Sequence, residues 1–398
     1  MDNKDMLDFI KSVYSKMIPI KALSPEVGGK GEMEKAKFIE DILKNLGVKP
    51  KWFTALDKNN TERPNLLGIY EGEDTTRTFW IVAHMDVVPE GDISLWKHPP
   101  FEATIEGDKV YGRGTEDDGS GIMITLGVLK YFYDKKIKPR INLGVVFVSD
   151  EETGSVYGMQ SLMQRNIFSK NDEFLVPDWG SSDGSLIEIV EKHVLWLKIK
   201  VDGKQTHAST PNKGANANLL GMKFYQELYE MLHKKYDKKN NLFDVPYSTF
   251  EPTKKEANVP NINTIPGTDI QYFDCRILPE YSLNAVIEDI NKEAANFGIE
   301  NKCGVSIEIV SRDESPNNSN QELAARFSKA IEKTRNISPK NVGIGGGTIA
   351  KYTRKAGMQT IVWSTIDDVA HSPDEYAKLS NIMKDIETIT EYLTMRYM

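Results

Sequence analysis

Apolar positions in the first half of the chain fall into short unbroken runs separated by stretches with helical spacing. Asn65–Tyr70 (NLLGIY), Phe79–Ala83 (FWIVA), Ile141–Ser149 (INLGVVFVS) and Glu173–Val176 (EFLV) are apolar almost throughout. Runs of that length and composition predict strands buried on both faces. Between them, Ala36, Ile39, Ile42, Leu43 and Leu46 share one stripe of a helix over Met33–Leu46 that stops at Gly47, a residue suited to the left-handed turn after a helix. Gly121–Phe132 reads as an apolar helix. Strands alternating with helices predict a mostly parallel, helix-covered α/β sheet.

The pattern changes near Lys192. VLWLKIKVDG reads as a strand ending in Asp-Gly, followed by a helix over about Asn216–Lys235 with Leu219, Met222, Phe224, Leu228 and Leu232 as its apolar positions. A polar stretch (Lys234–Asn241) and two strand candidates, Ile270–Ile277 and Val305–Val310, complete a β-α-β-β-type module. From Gln321 the earlier alternation resumes, with a helix through Ile331, a strand at Thr360–Thr365 and a final helix from Ala377. The reading is an α/β domain (1–191 and 314–398) interrupted by an inserted α+β domain (192–313).

In a sheet of this kind, ligands bind beyond the carboxyl ends of the strands. FWIVA runs into His84-Met85-Asp86, INLGVVFVS into Asp150-Glu151-Glu152, and EFLV into Pro177-Asp178. Asp117 stands just before the Gly121 helix, and the Thr360 strand is followed shortly by His371. Five element ends thus present a His or a carboxylate at one expected edge. Two imidazoles with several carboxylates and no thiolate are the donors of a hydrolytic divalent metal, zinc above all. They are too many for one ion and suit two that share a carboxylate, an arrangement that holds a nucleophilic water between ions roughly 3.5–4 Å apart. Adjacent residues such as Glu151 and Glu152 point in opposite directions on extended chain, so one can bind metal while the other faces the water. In His84-x-Asp86 the Asp can accept from the imidazole nitrogen that is off the metal.

Composition narrows the setting. Fifty Lys and Arg against fifty-eight Asp and Glu give a net charge of −8, which argues against nucleic acid as a partner. No stretch approaches the roughly 18 apolar residues of a membrane span, and the beginning of the chain lacks the basic and apolar regions of a secretory signal. Two cysteines, Cys275 and Cys303, rule against a disulfide framework, so the expected setting is the cytoplasm.

These residues sit in AHMDVVP (Ala83–Pro89), WKHPPFEA (Trp96–Ala103), YGRGTEDDGSG (Tyr111–Gly121), SDEETGS (Ser149–Ser155), GKQTHASTPNKGANA (Gly203–Ala217), NTIPG (Asn263–Gly267), DCR (Asp274–Arg276), GGGT (Gly345–Thr348) and AHSPDE (Ala370–Glu375). In this order, over nearly the whole chain, they resemble the two-zinc aminoacylase/carboxypeptidase metallopeptidases. That family includes glutamate carboxypeptidase, succinyl-diaminopimelate desuccinylase, acetylornithine deacetylase, tripeptidase T and the carnosine dipeptidases.

The resemblance implies a zinc-exopeptidase-like catalytic domain with an inserted lid or dimerisation domain, and a homodimer through that domain. It implies two divalent ions, zinc first, with cobalt or manganese as alternatives. One ion takes His84 and Asp178, the other Glu152 and His371, and Asp117 bridges them across a cis Asp117–Asp118 bond. Glu151 resembles the general base, Asp86 the partner of His84, and His207 the residue that steadies the carbonyl oxygen, supplied by the partner subunit in dimeric relatives. Asn263 and Arg276 resemble residues that meet the substrate's backbone or carboxylate. The loop Gly346, Gly347, Thr348, ahead of a helical stretch, aims N–H groups at an anionic substrate end; without a Gly-Lys-Ser/Thr ending it is not a nucleotide loop. Asp183 competes with Asp178 as the fifth ligand. The implied substrate is a small peptide or an N-acyl amino acid; a non-catalytic binding protein is the reading from another class. His98, His193 and His233 lack a ligand context.

Overall fold

The structure is a computed structural model that describes residues 3–316 and 321–396. The chain divides into two compact units. One comprises Met1–Ile189, Asn318–Val342 and Thr348–Met398, and the other comprises Val190–Asn317 and Gly343–Gly347.

The first unit is built on an eight-stranded sheet. In chain order its strands are β1 (Lys51–Trp52), β2 (Leu66–Tyr70), β3 (Asp74–His84), β4 (Ile141–Val148), β5 (Glu173–Val176), β6 (Leu186–Glu191), β7 (Lys340–Ile344) and β8 (Gln359–Val362). Their spatial order is β1-β2-β4-β3-β5-β8-β6-β7. The four middle strands β4, β3, β5 and β8 are mutually parallel. β1 and β2 join one side antiparallel, and β6 joins the other antiparallel to β8. The sheet is therefore mixed, and parallel where its strand ends matter.

The middle strands are as apolar as their double burial demands: all eight residues of β4 and all four of β5 are buried. On one face Phe79 stacks against Tyr392 at 4.8 Å, and Phe327 packs on both Tyr392 and Trp363. Phe327 and Tyr392 belong to helices, Phe79 to β3, and Trp363 directly follows β8; the unit's helices include α1 (Asn3–Met17), α2 (Met33–Asn45), α3 (Gly119–Lys135), α4 (Gln321–Arg335) and α5 (Leu379–Thr394). The opposite face carries a second cluster of Trp80, Val82, Val146, Val148, Met159, Phe168, Phe174 and Val362. A Cβ at Gly144 would lie 2.1 Å from the Trp80 ring, so only glycine lets β4 pass that indole.

The second unit has a four-stranded antiparallel sheet ordered Thr249–Lys255, Thr268–Ile277, His193–Asp202, Gly304–Asp313. The helices Ala217–Lys235 and Leu283–Asn301 pack their apolar residues on one sheet face, around Leu195, Leu197, Ile199, Phe250, Phe273 and Ile277. The Leu283–Asn301 helix and the Thr249–Lys255 strand extend the β-α-β-β reading. Leu219 and Met222 are 61% and 51% exposed; the buried stripe of their helix runs instead through Ala217, Gly221, Phe224, Tyr225, Leu228 and Leu232. The final helix starts at Leu379, and Ala377 lies in a short strand, Tyr376–Lys378.

Candidate metal centre

Each cluster residue of the first unit stands at the end of a parallel strand or on a loop beside it. His84 is the last residue of β3. Glu151 and Glu152 follow β4, Asp178 follows β5, and Asp117 immediately precedes Asp118, the N-cap of α3, which accepts from the Gly121 N–H. His371 lies beyond β8, in left-handed backbone at φ +62°.

Asp117 is the centre of the constellation. Its Oδ1 is 2.8 Å from His84 Nε2, and its Oδ2 is 2.9 Å from His371 Nε2. Glu152 Oε1 lies 3.2 Å from His371 Nε2, and Asp178 Oδ1 lies 3.6 Å from His84 Nε2. Donor atoms of His84, Asp117 and Glu152 fall within 4.8 Å of one another, as do those of His84, Asp118 and Asp178. The peptide bond Asp117–Asp118 is cis.

The electrostatics show what has been gathered. Burial opposes ionisation of Asp117, but the imidazoles of His371 and His84 on its two oxygens hold it well below the carboxylate range. Hydrogen bonds to Asp117 and Glu152 push His371 up to about 10. Burial pushes Glu152 up to about 7. Burial, with the carboxylates Asp178, Glu152 and Asp117 around it, holds Glu151 well above its usual range. Buried carboxylates facing one another ionise together only with positive charge between them. The donor set of two imidazole nitrogens and carboxylate oxygens fits a pair of divalent cations.

Asp86 faces His84 and also does more. His84 Nδ1 lies 3.1 Å from the main-chain oxygen of Asp86 and 3.5 Å from its carboxylate. The same carboxylate also accepts the N–H groups of Glu151 and Glu152, at 3.0 Å each. The two acidic alternatives after β5 also separate. Asp183 Oδ1 accepts from Ser181 Oγ and the Ser185 amide at 2.9 Å each, closing its own turn, whereas Asp178 faces His84.

Several residues around the cluster escape a reading by motif. Both oxygens of Asp118 are taken by amides, those of His84 and Gly121. Glu375 accepts the N–H groups of Gly114, Glu116 and Asp117. Glu116 accepts those of Asp367 and Val369. Lys35 is buried, and burial pulls its ammonium down to about 8 against the surrounding carboxylates of Asp86, Glu32, Glu375 and Asp118. The one available signal is position: Glu116 and Glu375 fall within the same runs as Asp117 and His371.

The remaining candidates belong to the second unit, apart from Thr348. His207 is exposed, and its Nδ1 accepts from the Ser209 amide at 3.1 Å, so the neutral ring carries its proton on Nε2. Asn263 is exposed; its carbonyl accepts from the Ala208 amide, and its side-chain oxygen accepts from Asn261. Arg276 forks onto Asp274 and also donates to the Gly345 carbonyl at 3.1 Å. Gly346 and Gly347 are exposed. Thr348 is buried and caps the amide of Ala350, at the start of a helix of only six residues. His98 stacks on Tyr111 at 4.1 Å with Nδ1 3.2 Å from Asp374, and the His193 ring bonds Ser315 N and Tyr281 O. Cys275 and Cys303 are free thiols.

Known proteins match nearly the whole chain. An uncharacterized metallohydrolase of Methanocaldococcus jannaschii is 39% identical over 411 residues, spanning 98% of this chain and 100% of the relative. A succinyl-diaminopimelate desuccinylase of Rickettsia bellii is 26% identical over 383 residues, spanning 95% of this chain and 94% of its own. Among solved structures, aminopeptidase PepT from Bacillus cereus superposes with a TM-score of 0.78 at 17% identity, covering 99% of this chain and 98% of its own. Residues 80–395 match the peptidase family M20/M25/M40. The chain therefore belongs to that family, and it is a hydrolase of peptide or amide bonds.

Proposed function

We propose that this hydrolase cleaves a peptide or N-acyl amide bond in a small substrate bearing a free carboxylate, as an exopeptidase, with two zinc ions. His84 and Asp178 would hold one ion, Glu152 and His371 the other, with Asp117 between them. The observation that carries this reading is the placement of Asp117, one oxygen on each of the two imidazoles. Bound in such a site, paired cations polarise a carbonyl and lower the pKa of a water from ~15.7 toward about 7.

The protein's own groups do the rest. Glu151 takes a proton from the attacking water and returns it to the departing amine. Asp86, through its bonds to both amides, fixes the segment on which Glu151 and Glu152 diverge. His207 donates from Nε2 to the carbonyl oxygen as it gains charge. Asn263, Arg276 and the segment Gly346, Gly347, Thr348 receive the substrate's backbone and carboxylate; the Arg fork is suited to both carboxylate oxygens.

Deacylation of an N-acyl amino acid is the second reading, supported by the desuccinylase relative. A panel of dipeptides and tripeptides against N-succinyl and N-acetyl amino acids, with zinc, cobalt or manganese supplied, separates the two. Release of amino acids from the peptides alone supports the exopeptidase; turnover of the acyl substrates alone contradicts it.

Association into a homodimer through the second unit accords with the exposed Leu219 and Met222 and with Ile309 and Val310 on its edge strand, 41% and 50% exposed. A cytoplasmic setting accords with the free thiols. Among the described residues no helix is long and apolar enough to cross a membrane.

A further inference from the structure

The loop that carries His371 is bent in an unusual way. Asp368, His371 and Asp374 all have φ near +60°, a region that residues with side chains rarely occupy unless their surroundings impose it. Two buried carboxylates tie this loop to the one that carries Asp117. Glu116, one residue before Asp117, accepts the N–H groups of Asp367 and Val369 at 2.8 and 2.6 Å. Glu375, four residues after His371, accepts those of Glu116 and Asp117 on one oxygen, at 2.9 and 3.1 Å, and that of Gly114 on the other, at 3.1 Å. Arg113 ties the two: one guanidinium nitrogen donates to Glu375 and the other to the His371 carbonyl at 3.2 Å. Glu375 is 0% exposed, Arg113 3% and Glu116 5%.

Each carboxylate thus holds the backbone of the other's loop, and the two loops deliver Asp117 and His371. We propose that Glu116 and Glu375 are positioning residues for the metal pair. By clasping the two loops they fix His371 against Asp117 and set the affinity of the cation held by His371 and Glu152. This inference rests on the reading of the cluster as a two-metal centre. The substitutions Glu116→Gln and Glu375→Gln keep side-chain size but replace a double acceptor by one acceptor and one donor, which faces N–H groups already pointing inward. The distortion reaches one ion more than the other, because His84 and Asp178 stand on β3 and after β5, outside the clasp.

The test is a calorimetric titration of metal-free protein with Co2+, with the visible absorption of the bound ion recorded at each equivalent. Wild type, E116Q, E375Q and E173Q are compared; the last alters a buried carboxylate at the start of β5, away from the cluster. The expected result is two equivalents in wild type and E173Q. In E116Q and E375Q the second equivalent binds about 10- to 100-fold more weakly with an altered absorption band, and the first, which shares Asp117, is weakened less. Each clasp variant answers separately, so a failure of one to fold leaves the other decisive. Two equivalents with wild-type affinities and spectra in a folded clasp variant would overturn the proposal. Wild-type protein that takes up no Co2+ would contradict the two-metal reading itself, a different outcome.

Discussion

Asp86 accepts the backbone N–H of Glu151 at 3.0 Å, and its second oxygen accepts the next amide, that of Glu152, at the same distance. One buried carboxylate thereby fixes the backbone of both the proposed base and a proposed ligand. Its influence passes through the loop after β4 at least as much as through His84. Substituting Asp86 by Ala leaves two buried N–H groups without an acceptor. The expected result is a fall in kcat/KM of about 10- to 100-fold, with weaker metal uptake. Steady-state kinetics with metal analysis on the folded variant checks it; wild-type kcat/KM would contradict the role.

Glu151→Gln removes the proton carrier and keeps the shape of the site. Both metal equivalents should remain, while kcat drops by roughly 100- to 10,000-fold. A variant that binds two ions and turns over at the wild-type rate would remove Glu151 from the mechanism.

The two acidic residues after β5 should separate cleanly. Asp178→Ala should lose one equivalent of metal. Asp183→Ala should keep both and lose only its turn, at about 1 kcal/mol. Metal content by elemental analysis distinguishes them, and full loading of Asp178→Ala would hand the ligand role to another group.

Away from the cluster, Glu188 and Arg354 form a doubly bonded ion pair with both side chains 0% exposed. Glu188→Ala strands a buried guanidinium and should cost about 3–5 kcal/mol of unfolding free energy. Urea denaturation measures it, and a loss below 1 kcal/mol would mean that water or another carboxylate reaches Arg354.

Much of this was legible in the sequence, for a physical reason. Strands buried on both faces must be apolar, so His84, Glu151, Glu152 and Asp178 stand out where such runs stop. Asp117 and His371 lie on loops, and their runs of neighbouring residues marked them. Less legible were contacts in which a side chain holds a distant backbone. Glu375 bonds amides some 260 positions away, and amides leave no trace in residue type. For the same reason the sequence placed the Asp86 carboxylate beside His84 but gave no sign of its bonds to the Glu151 and Glu152 amides. Leu219 and Met222, named with Phe224, Leu228 and Leu232 as apolar positions, are exposed, because apolar residues at helical spacing look alike whether a face is covered or open.

The most direct test of the central claim is a zinc titration of chelator-treated protein, followed by calorimetry and peptide hydrolysis on the same sample. The account predicts inactive metal-free protein, two equivalents bound, and activity that returns as the sites fill. Hydrolysis at the full rate by protein free of metal, or failure to bind zinc at all, would contradict it.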